Sequence, residues 1–485
     1  MGKNPPQHAT REGKPPRRGP TLVDQLLSRR KAERGFLPGQ RVTVRFEALD
    51  LEGLAVGQVG DVLVSAPYGI PGEEAVVEIT EATRFRARGK IVSILRKSPD
   101  VAPIRCRHFG RCGGCQWQHI LYPIQLRYKT RLVKEYLKEA LGLRRDLVQE
   151  TLPSDPIWAY RHLLVATFQE RDSQAVLGFH TLGGGRVVAI QECPVQHPAN
   201  VAILKAALDA VVRLGLPIYN PQTRKGSVRG VIGMASFATG EAMMVLCLKN
   251  RIEDPQAFVR SVLDRVPGLV SVMMTVQRAP TLEMRGPRFS LLWGRPYIEE
   301  EVAGVKLRLG PTSSLPPNPP LLPALFGVVE RQLDLKGGET VVEPFAGTGV
   351  LSLSLARRAR QVIGIVPKDQ LSLARESAGL NGALNCALYT RDPVRVLVKL
   401  KGQGLSKPCA VLSPPGKGTP PEVIRALVDL AVPRVVYLGR SLPSLAKDIG
   451  MFQAEGYTVR EVQPIDILPH TSHLVCAVRL DRVGS

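Results

Sequence analysis

The side chains with the clearest chemistry lie in Cys106-Arg107-His108-Phe109-Gly110-Arg111-Cys112-Gly113-Gly114-Cys115-Gln116-Trp117-Gln118-His119. Three thiols spaced C-x5-C-x2-C in a glycine-bearing loop can turn toward one point. A fourth, Cys193, follows within Gln191-Glu192-Cys193-Pro194. Four thiolates can hold an iron–sulfur cluster or a zinc ion. A C-x2-C pair alone is as readily two unrelated cysteines, so the reading rests on the wider pattern. Cys247, Cys386, Cys409 and Cys476 stand singly in mostly apolar surroundings and read as reduced core residues.

A second candidate site is the turn Pro344-Phe345-Ala346-Gly347-Thr348-Gly349. It follows the strand-like run Thr340-Val341-Val342-Glu343 and precedes a helix expected from Val350 to Ala359 and a second strand from Gln361 to Val366. Such a turn lets the backbone approach a cofactor that the helix N-terminus faces, with the acid Glu343 closing the strand. A third candidate is the alternation of Arg84, Arg86, Arg88 and Lys90, which puts four cations on one face of a β-run. A solvated face is the bland reading. Yet a row of like charges repels itself unless an anion lies across it, which favours phosphate.

These groups need about three domains to position them, and 485 residues suffice. Residues 1–37, rich in Pro, Lys and Arg, read as a disordered basic arm. Residues 38–98 carry short alternating runs separated by glycine turns, the pattern of a small OB-like β-barrel. Residues 99–300 hold the cysteine loop, a basic amphipathic helix expected from Pro123 to Leu141, and a mixed α/β region. Between 200 and 300 helix-like and strand-like runs alternate with no assignable motif. Residues 301–485 follow the dinucleotide-fold pattern, so the fold class is multidomain α/β.

Lys and Arg number 65 against 43 Asp and Glu, a net charge of +22 that calls for a polyanionic partner. A membrane surface would satisfy that charge too, but no run of ~18 apolar residues could span a bilayer. Eight cysteines in so long a chain do not make a secreted disulfide scaffold, and the N-terminus lacks a signal peptide's apolar run. The chain is expected to be a cytoplasmic monomer.

Several of these motifs together resemble one family. Cys-x5-Cys-Gly-Gly-Cys-x2-Gln118-His119, followed by Tyr122-x2-Gln125-Leu126-x2-Lys129, resembles the cluster motif of the RNA (uracil-5-)-methyltransferases that act on ribosomal or transfer RNA. Residues 38–98 resemble a TRAM domain, and Trp158-Ala159-Tyr160-Arg161 and Leu177-Gly178-Phe179-His180 resemble the family's central domain. The Glu343–Gly349 segment resembles motif I of class I S-adenosylmethionine (SAM) methyltransferases. Asn381-Gly382-x2-Asn385, Asp392, Pro414-Pro415-Gly416-Lys417-Gly418, Leu445-Ala446-Lys447-Asp448 and Pro469-His470-Thr471-Ser472-His473 fall in register behind it. The resemblance spans about residues 39 to 480. It implies a TRAM barrel, a central domain and a Rossmann-like methyltransferase domain. It implies a [4Fe-4S] cluster on Cys106, Cys112, Cys115 and Cys193 and SAM held by Glu343, Phe345, Gly347, Gly349 and Asp392, while the charge alternation places RNA phosphate against Arg84, Arg86, Arg88 and Lys90.

The resemblance fails where the family's chemistry sits. That chemistry adds a cysteine thiolate to carbon 6 of uracil, methylates the resulting enolate at carbon 5, and removes the carbon-5 proton with a carboxylate. The nucleophile position is Arg440, within Tyr437-Leu438-Gly439-Arg440-Ser441, and the base position is Val475. Arginine stays protonated and valine takes no proton. The family's Asp-Pro-Pro-Arg is here Ser413-Pro414-Pro415-Gly416, the ribose-binding acid is Val366, and the Gln of Ser-x2-Gln-x-Asn is Pro316. The expectation is an RNA-binding iron–sulfur protein of this family, catalytically degenerate, that serves rRNA as a binding or assembly factor with weak or lost SAM affinity. The alternative is an active SAM-dependent methyltransferase of rRNA or tRNA with modified chemistry. A zinc-structured adaptor is a third reading.

Overall fold

The computed structural model describes residues 35–484, apart from residues 282 and 406. The basic arm expected over 1–37 lies, but for its last three residues, outside the described residues. Six strands follow: β1 (Arg41–Arg45), β2 (Ala48–Leu49), β3 (Ala55–Val59), β4 (Val62–Ala66), β5 (Glu74–Ala82) and β6 (Arg86–Arg96). They form one sheet in the order β1-β5-β6-β4-β3-β2. Alternation drives it: Val42 and Val44 point inward while Arg41, Thr43 and Arg45 point out. Val44, Phe46, Val64 and Ile79 fill the interior of this small OB-like barrel, and so does Trp117 from the cysteine loop.

Helix α1 (Tyr122–Leu141) comes next, one residue longer than expected at its start. Gly142, with φ of 66°, ends it in the left-handed cap that glycine adopts without strain. A seven-stranded central sheet follows: β7 (Leu163–Arg171), β8 (Gln174–His180), β9 (Val187–Ala189), β10 (Val228–Ala235), β11 (Ala242–Leu248), β12 (Leu269–Val276) and β13 (Phe289–Gly294). Helices α2 (Pro198–Arg213) and α3 (Pro255–Val262) cover one face. Every residue of β10 and β11 is buried, which explains why residues 200–300 show no readable period. A strand enclosed on both sides is a continuous apolar run.

The hairpin β14 (Ile298–Val302) and β15 (Val305–Leu309) leads through α4 (Leu322–Leu333) into the Rossmann-like sheet. Its strands are β16 (Thr340–Glu343), β17 (Gln361–Ile365), β18 (Cys386–Tyr389), β19 (Cys409–Leu412), β20 (Arg434–Gly439), β21 (Tyr457–Ile465) and β22 (Val475–Arg482). They lie in the order β18-β17-β16-β19-β20-β22-β21, all parallel except β22. Its helices are α5 (Val350–Leu355), α6 (Leu371–Leu380), α7 (Pro393–Gly402), α8 (Pro421–Asp429) and α9 (Leu442–Ala454). One core joins Ile232 and Val245 of the central sheet to the hairpin and to Val341 and Val436 of this sheet, so packing runs unbroken past residue 300.

α1 binds these layers together. Val133 and Leu137 pack with Ile449 and Phe452 of α9. On the same buried face Lys129, fully enclosed, ion-pairs with equally enclosed Asp466 and donates to the His473 carbonyl at 2.8 Å. One turn earlier, Gln125 donates to the carbonyls of Trp117 at 3.0 Å and Ile120 at 2.8 Å, and accepts from the His470 N–H at 3.0 Å. The basic helix thus turns Lys129 inward, and one partner's loss strands the other's charge. Lys129→Met is expected to lower unfolding free energy by ~3–5 kcal/mol, and Lys129→Met with Asp466→Leu to recover most of that. Denaturant titration of the two variants checks it; equal losses would contradict the pairing.

Candidate functional site

The cysteine loop is shaped by close backbone approach. A Cβ on Gly113 would sit 2.9 Å from the Leu182 nitrogen and 3.0 Å from the Thr181 oxygen, so only glycine fits. Its N–H donates to the His180 carbonyl at 2.9 Å, and Cys112 bridges to Thr181. The segment Trp158–Arg161 runs beside Cys193: the Ala159 N–H donates to the Pro194 carbonyl at 2.7 Å and that of Arg161 to Val195 at 2.9 Å. Arg107 ties the two parts together, pairing with Glu192 at 3.2 Å and hydrogen-bonding Gln191. Cys106, Cys112, Cys115 and Cys193 line one cavity of about 490 Å³ together with Arg161. All four thiols are free and partly accessible. Burial pushes Cys112 and Cys115 up and Cys193 to about 11, while the Arg161 cation draws Cys115 back down. Among the described residues no three His, Cys, Asp or Glu side chains are close enough to ligate a single ion. Arg161 was not singled out from sequence; nothing in Trp158-Ala159-Tyr160-Arg161 marks it as facing thiols.

The loop continues straight into the hub. The N–H groups of Gln116 and Trp117 both donate to the His470 carbonyl, at 3.0 and 2.9 Å. The Trp117 indole donates to the Gly53 carbonyl at 3.0 Å inside the barrel. Between barrel and central sheet lies a cleft of about 1050 Å³, lined by Lys90, Arg107, Arg111, Arg171 and Arg186 with Tyr68.

The barrel cations differ from the expected row. Arg86, Arg88 and Lys90 share the exposed face of β6, but Arg84 lies ahead of the strand with its guanidinium over the Phe85 ring at 5.0 Å. Nor is the row uncompensated. Arg88 pairs with Glu52, and Lys90 with Glu78 at 2.7 Å. The repulsion argument therefore weakens for these two, because cross-strand and turn carboxylates supply the counter-charge.

In the cofactor loop, Glu343 ends β16 fully buried and accepts a hydrogen bond from the Ser352 hydroxyl. Gly347 and Gly349 take φ of 55° and 80°, and a Cβ on Gly347 would come 3.0 Å from the Ser314 hydroxyl. Phe345 is half-buried against the core. α5 stops at Leu355 rather than Ala359, and the chain continues in tight turns. Ser314 is held in turn by Gln370, whose amide donates to the Thr312 carbonyl at 3.0 Å. Val366 joins Ala346, Ala374 and Leu388 in a small apolar cluster of its own. Asp392 is exposed and caps α7, accepting from the Arg395 N–H at 3.0 Å. It stands apart from Glu343, at the start of the next helix beyond β18.

Arg440 follows directly on β20 and is exposed, whereas Val475 is buried at the start of β22 opposite Ile465. Cys476 is wholly enclosed and burial pushes its thiol far above the usual range. Cys409, also buried, is pushed up to about 11. Asp448 of α9 accepts from the Tyr437 hydroxyl at 2.6 Å and the Thr419 N–H at 2.5 Å, and a Cβ on Gly418 would lie 2.9 Å from it. That carboxylate shapes the Pro414-Pro415 loop.

An OB-like barrel, a central sheet that carries a four-cysteine cavity and a Rossmann-like sheet make up the architecture. Residues 35–92 match the TRAM domain. The chain is 31% identical to an uncharacterized RNA methyltransferase of Thermotoga maritima, over 89% of this chain and 95% of that one. It is 30% identical to another from Gloeobacter violaceus, over 92% and 98%. A crystal structure of Pyrococcus abyssi tRNA (uracil-54, C5)-methyltransferase with S-adenosyl-L-homocysteine shares the fold, with a TM-score of 0.71 at 22% identity over 91% of this chain and 99% of that one. The chain belongs to the family of these RNA methyltransferases.

Burial raises the Glu343 carboxyl from its ordinary 4.5 to about 7. An acid with a raised native pKa holds its proton when the unfolded chain has lost it, so stability falls as pH rises from 4.5 to about 7 and is level above. Glu343→Gln is therefore expected to match the wild type near pH 4 and to exceed it at pH 8 by up to ~3 kcal/mol. Thermal unfolding at the two pH values checks this; a variant weaker than wild type at pH 8 contradicts it.

Proposed function

We propose that this protein is an RNA-binding member of its family that holds structured RNA, ribosomal in type, as a binding or assembly factor and does not methylate uracil by the covalent route. The observation that carries this is the pair of residues at the family's nucleophile and base positions. Arg440 is an exposed cation, and Val475 is a core residue. The enclosed thiols of Cys409 and Cys476 offer no substitute, since a thiolate nucleophile needs access and a lowered pKa. Arg440 instead suits a phosphate or base carbonyl. RNA would lie along the cleft between barrel and central sheet, where Lys90, Arg107, Arg111, Arg171 and Arg186 converge, with Tyr68 available to stack an unpaired base.

Cys106, Cys112, Cys115 and Cys193 are the residues that would hold a [4Fe-4S] cluster. One zinc, with Zn–S of ~2.3 Å, draws four sulfurs into mutual contact. The wider cavity these thiols line suits a cluster better, and Arg161 supplies a cation beside the thiolates. Bound there, the cluster would staple the cysteine loop to Cys193. Anaerobically purified protein is expected to be brown with broad absorbance near ~400 nm, lost in Cys112→Ser. Colourless protein carrying zinc would contradict it.

A second reading, SAM-dependent methylation by other chemistry, is favoured by the Glu343–Gly349 loop. Family membership supports SAM binding there. Val366 leaves the ribose hydroxyls without a carboxylate, which points to weak affinity. The RNA reading is tested by fluorescence anisotropy with ribosomal RNA fragments across a salt series. Affinity is expected to fall steeply, by ~10³-fold or more between 50 and 200 mM salt for six or more phosphate contacts. An affinity indifferent to salt contradicts it.

A further inference from the structure

A second stripe of cations is used by neither the barrel nor the cysteine loop. Arg395 and Lys399 share one face of α7, and Arg391, just ahead of its N-cap, lines the same cavity. They meet Arg375 of α6 around a cavity of about 570 Å³ on the outer flank of β18, the edge strand of the Rossmann-like sheet. Glu343, Phe345, Gly347 and Gly349 are not among its lining residues, although Leu388 of its wall packs against the cofactor loop at Ala346.

The charge there is compensated only in part. No carboxylate lines the cavity, and among the described residues none of these four cations forms an ion pair, although Arg391 and Arg395 also line an adjoining cavity with Asp392 and Glu422. Of the nearby acids, Glu376 takes the Arg308 guanidinium at 2.8 Å, Asp392 caps α7, and Glu422 lies across the adjoining cavity from Arg391 and Arg395 without pairing with either. The first turn of α7 carries no acid, and Arg391 and Arg395 stand at its amino end, where the helix dipole disfavours cations. Four like charges around one hollow, two at the wrong end of a dipole, persist most easily with a polyanion across them. The floor is apolar, from Leu388, Val396 and Leu400, with Tyr389 at its end. Arg395 and Lys399 lie ~6 Å apart along the helix axis, close to the step between phosphates in an extended strand.

We propose that this flank of the Rossmann-like sheet binds single-stranded RNA, phosphates along the Arg391–Arg395–Lys399 stripe and a base against Tyr389. It deepens the RNA-binding reading above and rests on it. The test is anisotropy with a labelled oligouridylate across a salt series, using the full chain and a combined Arg391→Gln, Arg395→Gln, Lys399→Gln variant. The variant is expected to bind at least tenfold more weakly at low salt and to lose ~2 from the log–log salt slope, ~0.7 for each phosphate contact. Arg391→Lys with Arg395→Lys should bind as the wild type does. A parallel Arg86→Gln, Arg88→Gln, Lys90→Gln variant separates the two readings. If that variant weakens binding while the α7 variant matches the wild type in affinity and slope, this site is overturned and RNA binding elsewhere stands. A wild type that binds no RNA overturns both, and an α7 variant impaired toward heparin but not RNA overturns this one. Should the triple variant misfold, Arg375→Gln on the facing helix must still remove ~0.7 from the slope; an unchanged slope overturns the proposal.

Discussion

The enclosed ion pair between Lys129 and Asp466 is the constraint on which the other arrangements depend. Neither charge reaches water, so each can be tolerated only in the presence of the other and of the carbonyls of Leu468 and His473. Such a pair adds little net stability over apolar residues, but it admits one geometry. That geometry fixes α1 against the segment from Asp466 to His473. With α1 fixed, Gln125 sets Trp117 and His470, Trp117 plugs the barrel, and the cysteine loop that ends at Trp117 is set against the central sheet.

On the function proposed above, holding RNA and transforming it are separated. Barrel and cysteine loop are both tied to α1 and His470 through Trp117 and Gln125, and the barrel matches the TRAM domain. The positions where the covalent chemistry would occur lie on strand ends that carry other side chains with no cost to the hub: Arg440 after β20, Val475 inside the core at the start of β22. A fold supports many activities, and the side chains at the site decide which remains. Here Asp448, in the helix after the nucleophile position, is spent on the Pro414-Pro415 loop, and Val366 on an apolar cluster.

The parts of this architecture readable in the sequence were those with local signals. α1 was legible because its period is strong and Gly142 ends it; the barrel strands were legible by alternation. Cys112-Gly113-Gly114-Cys115 read as a glycine-bearing loop, but its close passage by Thr181 was visible only in the structure. The central sheet was not legible, because β10 and β11 are enclosed on both faces and carry no period. α5 ends early although Ala356-Arg357-Arg358-Ala359 are good helix formers. Arg357 instead reaches the hairpin turn at Ala303 and Gly304, a contact more than fifty residues away that propensity cannot see. The partners of Arg88 and Lys90, and above all the pairing of Lys129 with Asp466 across 337 residues, were hidden for the same reason.

The most direct measurement concerns the proton on uracil carbon 5. RNA carrying tritium at that carbon, prepared from cells lacking this protein, is incubated with the full chain and SAM, and released tritium is counted. Addition of a thiolate to carbon 6 followed by methylation must expel that proton. With Arg440 and Val475 at the two positions, no release above background is expected while the RNA remains bound. Stoichiometric release with a methyl group gained by the RNA would contradict the account.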